Sequence, residues 1–225
     1  MSAKSKTKNK KAGKLASPRR HLTSAARREQ ILSAARELIL QQGSLPLSLE
    51  QLAERAGTSK ALIYVYFPSH YELYNAIMRA EVADLETAGM QAASMKKNLQ
   101  DAALACARIY FEHIAKRGTV LHLILRDLYM VGHIDPQVAK FRDTVVRRLA
   151  RLVRRKLNLP ARENIAAINL AITIPEEAGR LAFQGDLAPE RAWLVCEELI
   201  SASIAALAPQ RSRSEGSGGG SFALR

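Results

Sequence analysis

The sequence predicts an all-α protein, with a three-helix N-terminal domain followed by a larger helical one. Three observations lead there. Apolar residues recur at helical spacing along most of the chain, and no stretch alternates with the period of a strand. Ala and Leu dominate, while aromatic residues make up only 5% of the total. With 225 residues, 48% of them hydrophobic, the chain is long enough to bury a real core.

Residues 1–22 hold eight bases and no acid, and read as a disordered basic arm. The first helix is predicted over about Ala25 to Gln42, where Ile31, Leu32, Ala35, Leu38 and Ile39 form one stripe and Gly43 ends it. Ser48 and Gln51 make an S-x-x-Q capping box that opens a second helix. A short third helix begins near Thr58 or Ser59 and stops at Pro68. Ser69 and Glu72 form another capping box, opening a long fourth helix with Leu73, Ile77 and Leu85 on its stripe.

A helix follows from about Leu99 to Lys116. The segment Val120 to Val131 is apolar almost all round and reads as the buried helix of the second domain. Asp135 as N-cap and Pro136 as first residue start a helix ending near Leu157, with Val138, Phe141, Val145, Leu149 and Leu152 inward. Its arginines lie mostly opposite and read as a solvated face. The last two helices run from about Arg162 to Phe183, where Pro175 should kink or split the helix, and from Pro189 to Leu207. Trp193, Cys196, Ile200, Ser203 and Leu207 stripe the final one, widened by Leu199 and Ile204, which suits a core or a dimer seam. From Pro209 the Gly-Ser cluster reads as a disordered tail, native or appended. The predicted boundaries are thus 1–22, 23–68, 69–208 and 209–225.

Net charge is +13, unevenly spread. The arm holds +8 and residues 140–156 hold +7, so the rest of the folded body is close to neutral. A polybasic segment attracts any polyanion, whether DNA, RNA or an acidic membrane surface. No apolar run approaches the ~18 residues of a membrane span. No apolar stretch follows the first lysines, as a secretory signal requires, so the expected compartment is the cytoplasm. Cys106 and Cys196 are then expected as buried, reduced thiols. Neither has metal-ligand neighbours, and no metal or cofactor is expected. The chain shows no glycine-rich phosphate loop and no local nucleophile motif, so an enzyme is not expected either.

The most informative stretch is Leu49 to Phe67, LEQLAERAGTSKALIYVYF. Ala53, Gly57 and Ile63 stand four and then six positions apart. Ala53 lets two short helices cross closely, Gly57 suits a left-handed turn between them, and Ile63 with Leu52 supplies the apolar plug. This spacing fits a helix-turn-helix, whose second helix can enter the DNA major groove. An ordinary αα-hairpin with Gly at its turn has the same spacing.

The residues on either side of the motif separate the two. The helix REQILSAARELILQQG, the segment SLEQLAERAGTSKALIYVYF and the sequence PSHYELYNAI resemble the TetR family of bacterial transcription regulators from about Arg28 to Ile77. The order Ser59-Lys60, Ile63-Tyr64, Tyr66-Phe67, Ser69 and Glu72-Leu73 carries the resemblance. Further on, LRDLYMVGHIDPQVAKF is only weakly similar, and beyond it the likeness is architectural.

The resemblance implies a homodimer that reads a palindromic operator through two recognition helices spaced by roughly 34 Å or somewhat more. The last two helices of each subunit would pack into a four-helix seam. A small molecule bound in the second domain would shift the fourth helix and release the DNA, the usual outcome being repression.

The resemblance also implies roles for particular residues. Ser48, at a helix start, would meet a phosphate or simply cap. Thr58, Ser59 and Lys60 open the recognition helix, and Lys60 would reach a guanine edge or a phosphate. Tyr64 and Tyr66 would offer hydroxyls to phosphates, with packing alone an equal reading for Tyr66. Three positions depart from the family pattern. Ala61 stands where Gly is frequent. Leu62 stands where a small or polar residue is common, and would touch a thymine methyl if exposed. His70 replaces a usual Lys, which makes that phosphate contact pH-dependent. Candidate effector contacts are Tyr110, His113, His122, Arg126, Tyr129 and His133, beside the kink at Pro175. The apolar helices favour a hydrophobic or amphipathic effector. A non-specific nucleic-acid binder would explain the basic segments but not the ordered residues after the turn.

Overall fold

The structure, a computed structural model, describes residues 23–208, all helices and connections. The basic arm and the Gly-Ser tail lie outside the described residues. Helix α1 (Ser24–Gln42) is capped by Thr23, whose hydroxyl accepts from the Ala26 amide, and ends at Gly43. Helix α2 (Leu49–Arg55) packs on it, and α3 (Lys60–Tyr66) packs on α2. Their shared plug is Ile31, Leu52, Ile63 and Phe67, each at most 3% exposed. Ser48, Ser59 and Ser69 each cap a helix by accepting an amide three residues on, so the serine half of each expected capping box forms and Ser59 adds a third cap.

Helix α4 (His70–Thr87) leads from this bundle into the larger one. A short α5 (Met90–Ala93), which the sequence pattern did not suggest, turns the chain into α6 (Leu99–Arg117). Helices α7 (Val120–Arg126), α8 (Pro136–Leu157), α9 (Ala161–Gln184) and α10 (Pro189–Leu207) complete the fold, with α6, α9 and α10 in closest mutual contact. Cys106 and Cys196 are buried free thiols, and burial pushes each up to about 11. No helix among the described residues is long and apolar enough to cross a membrane.

Two expectations are corrected. The apolar run Val120 to Val131 is not one buried helix. It breaks at Asp127, whose carboxylate caps a 3-10 turn over Leu128–Met130, and beyond the break Leu128 and Val131 are 85% and 69% exposed. A carboxylate able to bind free amides beats the helical continuation that hydrophobicity alone favours. Of the kink or split expected at Pro175, the split does not occur: α9 runs continuously through it with the proline buried. The missing donor leaves the Ala171 carbonyl without its helical partner, while packing on α6 and α10 holds the helix together.

The basic face of α8 is mostly solvated, as expected. Arg148 is the exception: its guanidinium donates to the Gln91 carbonyl, the Gln91 side chain and the Ser94 hydroxyl.

Candidate nucleic-acid interface and cavity

The turn between α2 and α3 is closed by the Gly57 amide on the Glu54 carbonyl and the Thr58 amide on the Ala53 carbonyl. Gly57 has φ +56, the left-handed value that the spacing predicted. Ser59 then starts α3 with Ile63 1% exposed and facing inward. The opposite arc presents Lys60, Ala61, Tyr64 and Val65, all exposed, Tyr64 by 44% and Val65 by 74%. Seven residues of helix with one buried and one free side have the form of a probe for a groove.

Lys60 is not idle on this face. Its Nζ lies 2.5 Å from Oε1 of Glu50 in α2, and the pair raises the lysine and lowers the carboxyl relative to their ordinary values. The other oxygen of Glu50 accepts from the Ser48 hydroxyl. Ser48, Lys60 and one acid therefore share a network that a phosphate would have to displace. Thr58, Leu62 and Tyr66 are half-buried, and Leu62 and Tyr66 lie on the arc away from Lys60. Tyr66 packs against the core. His70 turns inward: its Nε2 lies 3.2 Å from the Leu47 carbonyl, and its ring stacks near Tyr74.

Two residues of this region escape a reading of the sequence. Val65 follows from helical spacing, four positions after Ala61, and offers methyl groups suited to a thymine. Arg28 is exposed on α1 with its guanidinium 5.2 Å above the Phe67 ring, which fixes a cation beside the end of α3. Nothing local marks Arg28, because the contact spans two helices.

The larger bundle encloses a cavity of about 830 Å³ between α4, α6, α7, α8, α9 and α10. Its walls are mainly apolar, from Val82 and Leu85 to Phe141, Leu149, Ile168 and Ile172. Three expected residues line it. Tyr110 contributes a hydroxyl whose ionisation burial pushes up, His122 places Nδ1 2.6 Å from a Glu176 carboxylate oxygen, and Arg126 stands exposed at the wall. Glu176, next to Pro175, was not anticipated. Leu170 and Leu207 also border the cavity while 71% and 45% exposed, so it opens toward the α9–α10 face.

The other three expected contacts lie elsewhere. His113 is buried against Glu81, with Nε2 3.1 Å from Oε2. Tyr129 and His133 come after the Asp127 break and stack on Tyr71, with ring centroids 5.0 and 3.8 Å apart. His113, offset round α6 from Tyr110, meets Glu81 of α4 instead of the cavity, and the broken α7 carries the other two outside. Among the described residues no group of His, Cys, Asp and Glu is arranged to hold a metal.

Comparison with known proteins agrees with this geometry. Residues 31–77 match the family model described as bacterial regulatory proteins, tetR family. The transcriptional activator FasR of Mycolicibacterium smegmatis is 31% identical over 113 residues, a match covering 50% of this chain and 50% of that protein. The chain therefore spans about half the length of this curated relative. A TetR-like regulator from Rhodococcus sp. RHA1 superposes with TM-score 0.62 at 19% identity, covering 82% of this chain and 99% of that one. FadR of Bacillus subtilis, solved with stearoyl-CoA, superposes with TM-score 0.55 at 16% identity, covering 80% and 97% of the two chains. These two likenesses concern the fold.

Proposed function

We propose that this chain, whose residues 31–77 match the tetR family model, is a TetR-family regulator that binds DNA sequence-specifically, a homodimeric repressor released from a palindromic operator by a small-molecule effector. The observation that carries this reading is the free face of α3, Lys60, Ala61, Tyr64 and Val65, opposite the buried Ile63. Such a face reads base edges while the ends of α2 and α4 meet phosphates. The dimer reading rests on apolar residues left in water on the last two helices, Leu170, Leu194 and Leu199 among them, each 49% exposed or more. The regulator would work in the cytoplasm, where its operator is. The activator named among the relatives supports a second reading in which the bound protein raises transcription. A reporter placed behind the selected site distinguishes the two by the sign of its response.

The effector is read as amphipathic, with a long apolar portion along α8 and α9 and a polar group near Tyr110, His122, Arg126 and Glu176. The apolar walls support this, and so does the stearoyl-CoA held by the similarly folded FadR.

Selection of bound duplexes from a random library at near-physiological salt tests the function. A two-fold symmetric consensus is expected. Binding that selects no sequence and vanishes as salt rises would overturn the reading. Lys60→Ala should relax preference at one base pair by ~1–3 kcal/mol if the lysine reads a guanine. If it meets a phosphate, the log–log salt slope should instead fall by about 0.9. Glu50→Gln should tighten duplex binding, because it frees Lys60 and Ser48 and removes a negative charge from the interface. Weaker binding by that variant in a fluorescence titration would mean that the Glu50 pair orders the face rather than competing for it.

A further inference from the structure

The connection between α1 and α2 is gripped from two directions. From α4, the Tyr74 hydroxyl accepts the Leu47 amide at 2.8 Å, and His70 Nε2 lies 3.2 Å from the Leu47 carbonyl. From the other side comes Asp127, the residue that ends α7. Its Oδ2 accepts the Leu45 amide at 2.9 Å, and its Oδ1 accepts the Tyr129 amide at 2.9 Å. Both oxygens of one carboxylate are therefore engaged, one on each side of a joint. Three residues beyond Leu45, Ser48 caps α2, and α2 packs on α3.

The other end of this link is the cavity. Leu121, His122, Leu125 and Arg126 of α7 form part of its wall, and Asp127 is the next residue. The loop after Asp127 is pinned in its turn. Tyr129 and His133 stack on Tyr71, and the Asn75 amide donates to the His133 carbonyl at 2.9 Å. A displacement of α7 by a ligand thus has little slack to dissipate on the loop side. It passes to the Leu45 amide.

We infer that Asp127 is a positioning residue which couples the cavity to the DNA-binding helices through its hydrogen bond to Leu45, a route separate from the α4 linker. This rests on the regulator reading above for its consequence, though not for its structural content. With the cavity in the state described, Asp127 holds the α1–α2 connection, and with it the start of α2, in the orientation that meets DNA. A ligand that moves α7 pulls or releases that connection.

The test uses the full chain and two readouts: affinity for the selected duplex, and hydrogen exchange of the Leu45 amide by NMR. Asp127→Ala should weaken the duplex by about tenfold, the loss expected for one hydrogen bond to a charged acceptor. It should leave the salt slope unchanged, since no phosphate contact is lost, and it should abolish Leu45 protection. Asp127→Glu should restore part of both. Leu125→Trp crowds the α7 wall and stands in for a ligand, with Leu125→Phe as the milder substitute if the tryptophan fails to fold. In the parent protein either should weaken the duplex and speed Leu45 exchange. In the Asp127→Ala background neither should add a further change. Multiplicative effects of the two substitutions, or unchanged Leu45 exchange in Asp127→Ala, would overturn the inference. If the parent chain selects no duplex at all, the regulator reading fails, and the exchange readout alone still decides whether α7 and Leu45 are coupled.

Discussion

Glu81→Ala is expected to destabilise the protein by about 3–5 kcal/mol, the usual cost of stripping one partner from a buried ion pair. Glu81 lies on α4 and is 1% exposed. Its Oε1 accepts from Arg36 of α1 and from Arg117 of α6, each at 2.9 Å, and its Oε2 accepts from Arg117 Nε at 2.9 Å. His113 stands 3.1 Å away, off the hydrogen-bonding line. Removing the carboxylate leaves three basic side chains converging on an empty, poorly hydrated space. Arg36 keeps Glu29 and Arg117 keeps Asp84, each at 2.8 Å, but those acids are 63% and 49% exposed and screened. Urea unfolding of parent and variant at neutral pH measures the loss. A change below ~1 kcal/mol would mean that water enters and replaces the carboxylate.

The same group fixes an acid limit. Burial raises the Glu81 pKa, but the adjacent His113 and the hydrogen bonds and charge of Arg117 outweigh it and bring the value down to about 2. A carboxyl with a depressed folded-state pKa stabilises the fold above its unfolded value. That stability is lost as pH falls through the folded one. The window therefore runs from about 4.5 down to about 2, and the contribution amounts to ~3 kcal/mol. Glu81→Gln should flatten the pH dependence of unfolding in that window while leaving the slope near neutrality untouched.

This cluster also marks the limit of what the sequence disclosed. Features set by neighbours in the chain were legible. Ser48 and Ser69 as caps, Gly43 as a stop, and Ala53, Gly57 and Ile63 around a turn depend on contacts within about six residues, and all take the expected places. The grouping of Glu81 with Arg36 and Arg117 spans 45 and 36 positions, and no spacing rule points to it. The cavity residues divide for the same reason. Tyr110 and His113 sit one turn apart on α6, yet one faces the cavity and the other faces α4. Asp127 was hidden by composition. In an apolar run it counts as a single polar interruption, and its hold on the Leu45 amide, 82 positions away, has no counterpart in local spacing. The exposed face of α3 is largely legible because the helix is short and its inward residue is fixed by the turn, and Val65 joins that face by helical spacing alone.

Gly179→Val should cost about 3 kcal/mol and act through the crossing of α6 and α9. A Cβ at position 179 would lie 2.8 Å from Cβ of Ile114, 2.9 Å from its Cγ2 and 3.0 Å from the Phe111 carbonyl oxygen. None of these atoms is the loose end of a flexible side chain. Ile114 is 2% exposed, and its β-carbon moves only with the α6 backbone. The two helices must therefore separate, and α10, packed against both, must follow. Valine gains a few tenths of a kcal/mol over glycine in intrinsic helix propensity, too little to offset the clash. The separation also opens the cavity, because Pro175 and Glu176 lie one turn before Gly179. Combining the substitution with Ile114→Ala tests the cause. Alone, Ile114→Ala should cost ~2–5 kcal/mol by leaving a void. Together, the valine fills part of that void, so the double variant should be more stable than the sum of the two losses by at least ~1 kcal/mol in urea unfolding. Strict additivity would place the strain in the contacts with the Ile114 Cβ and the Phe111 carbonyl oxygen, which Ile114→Ala leaves in place.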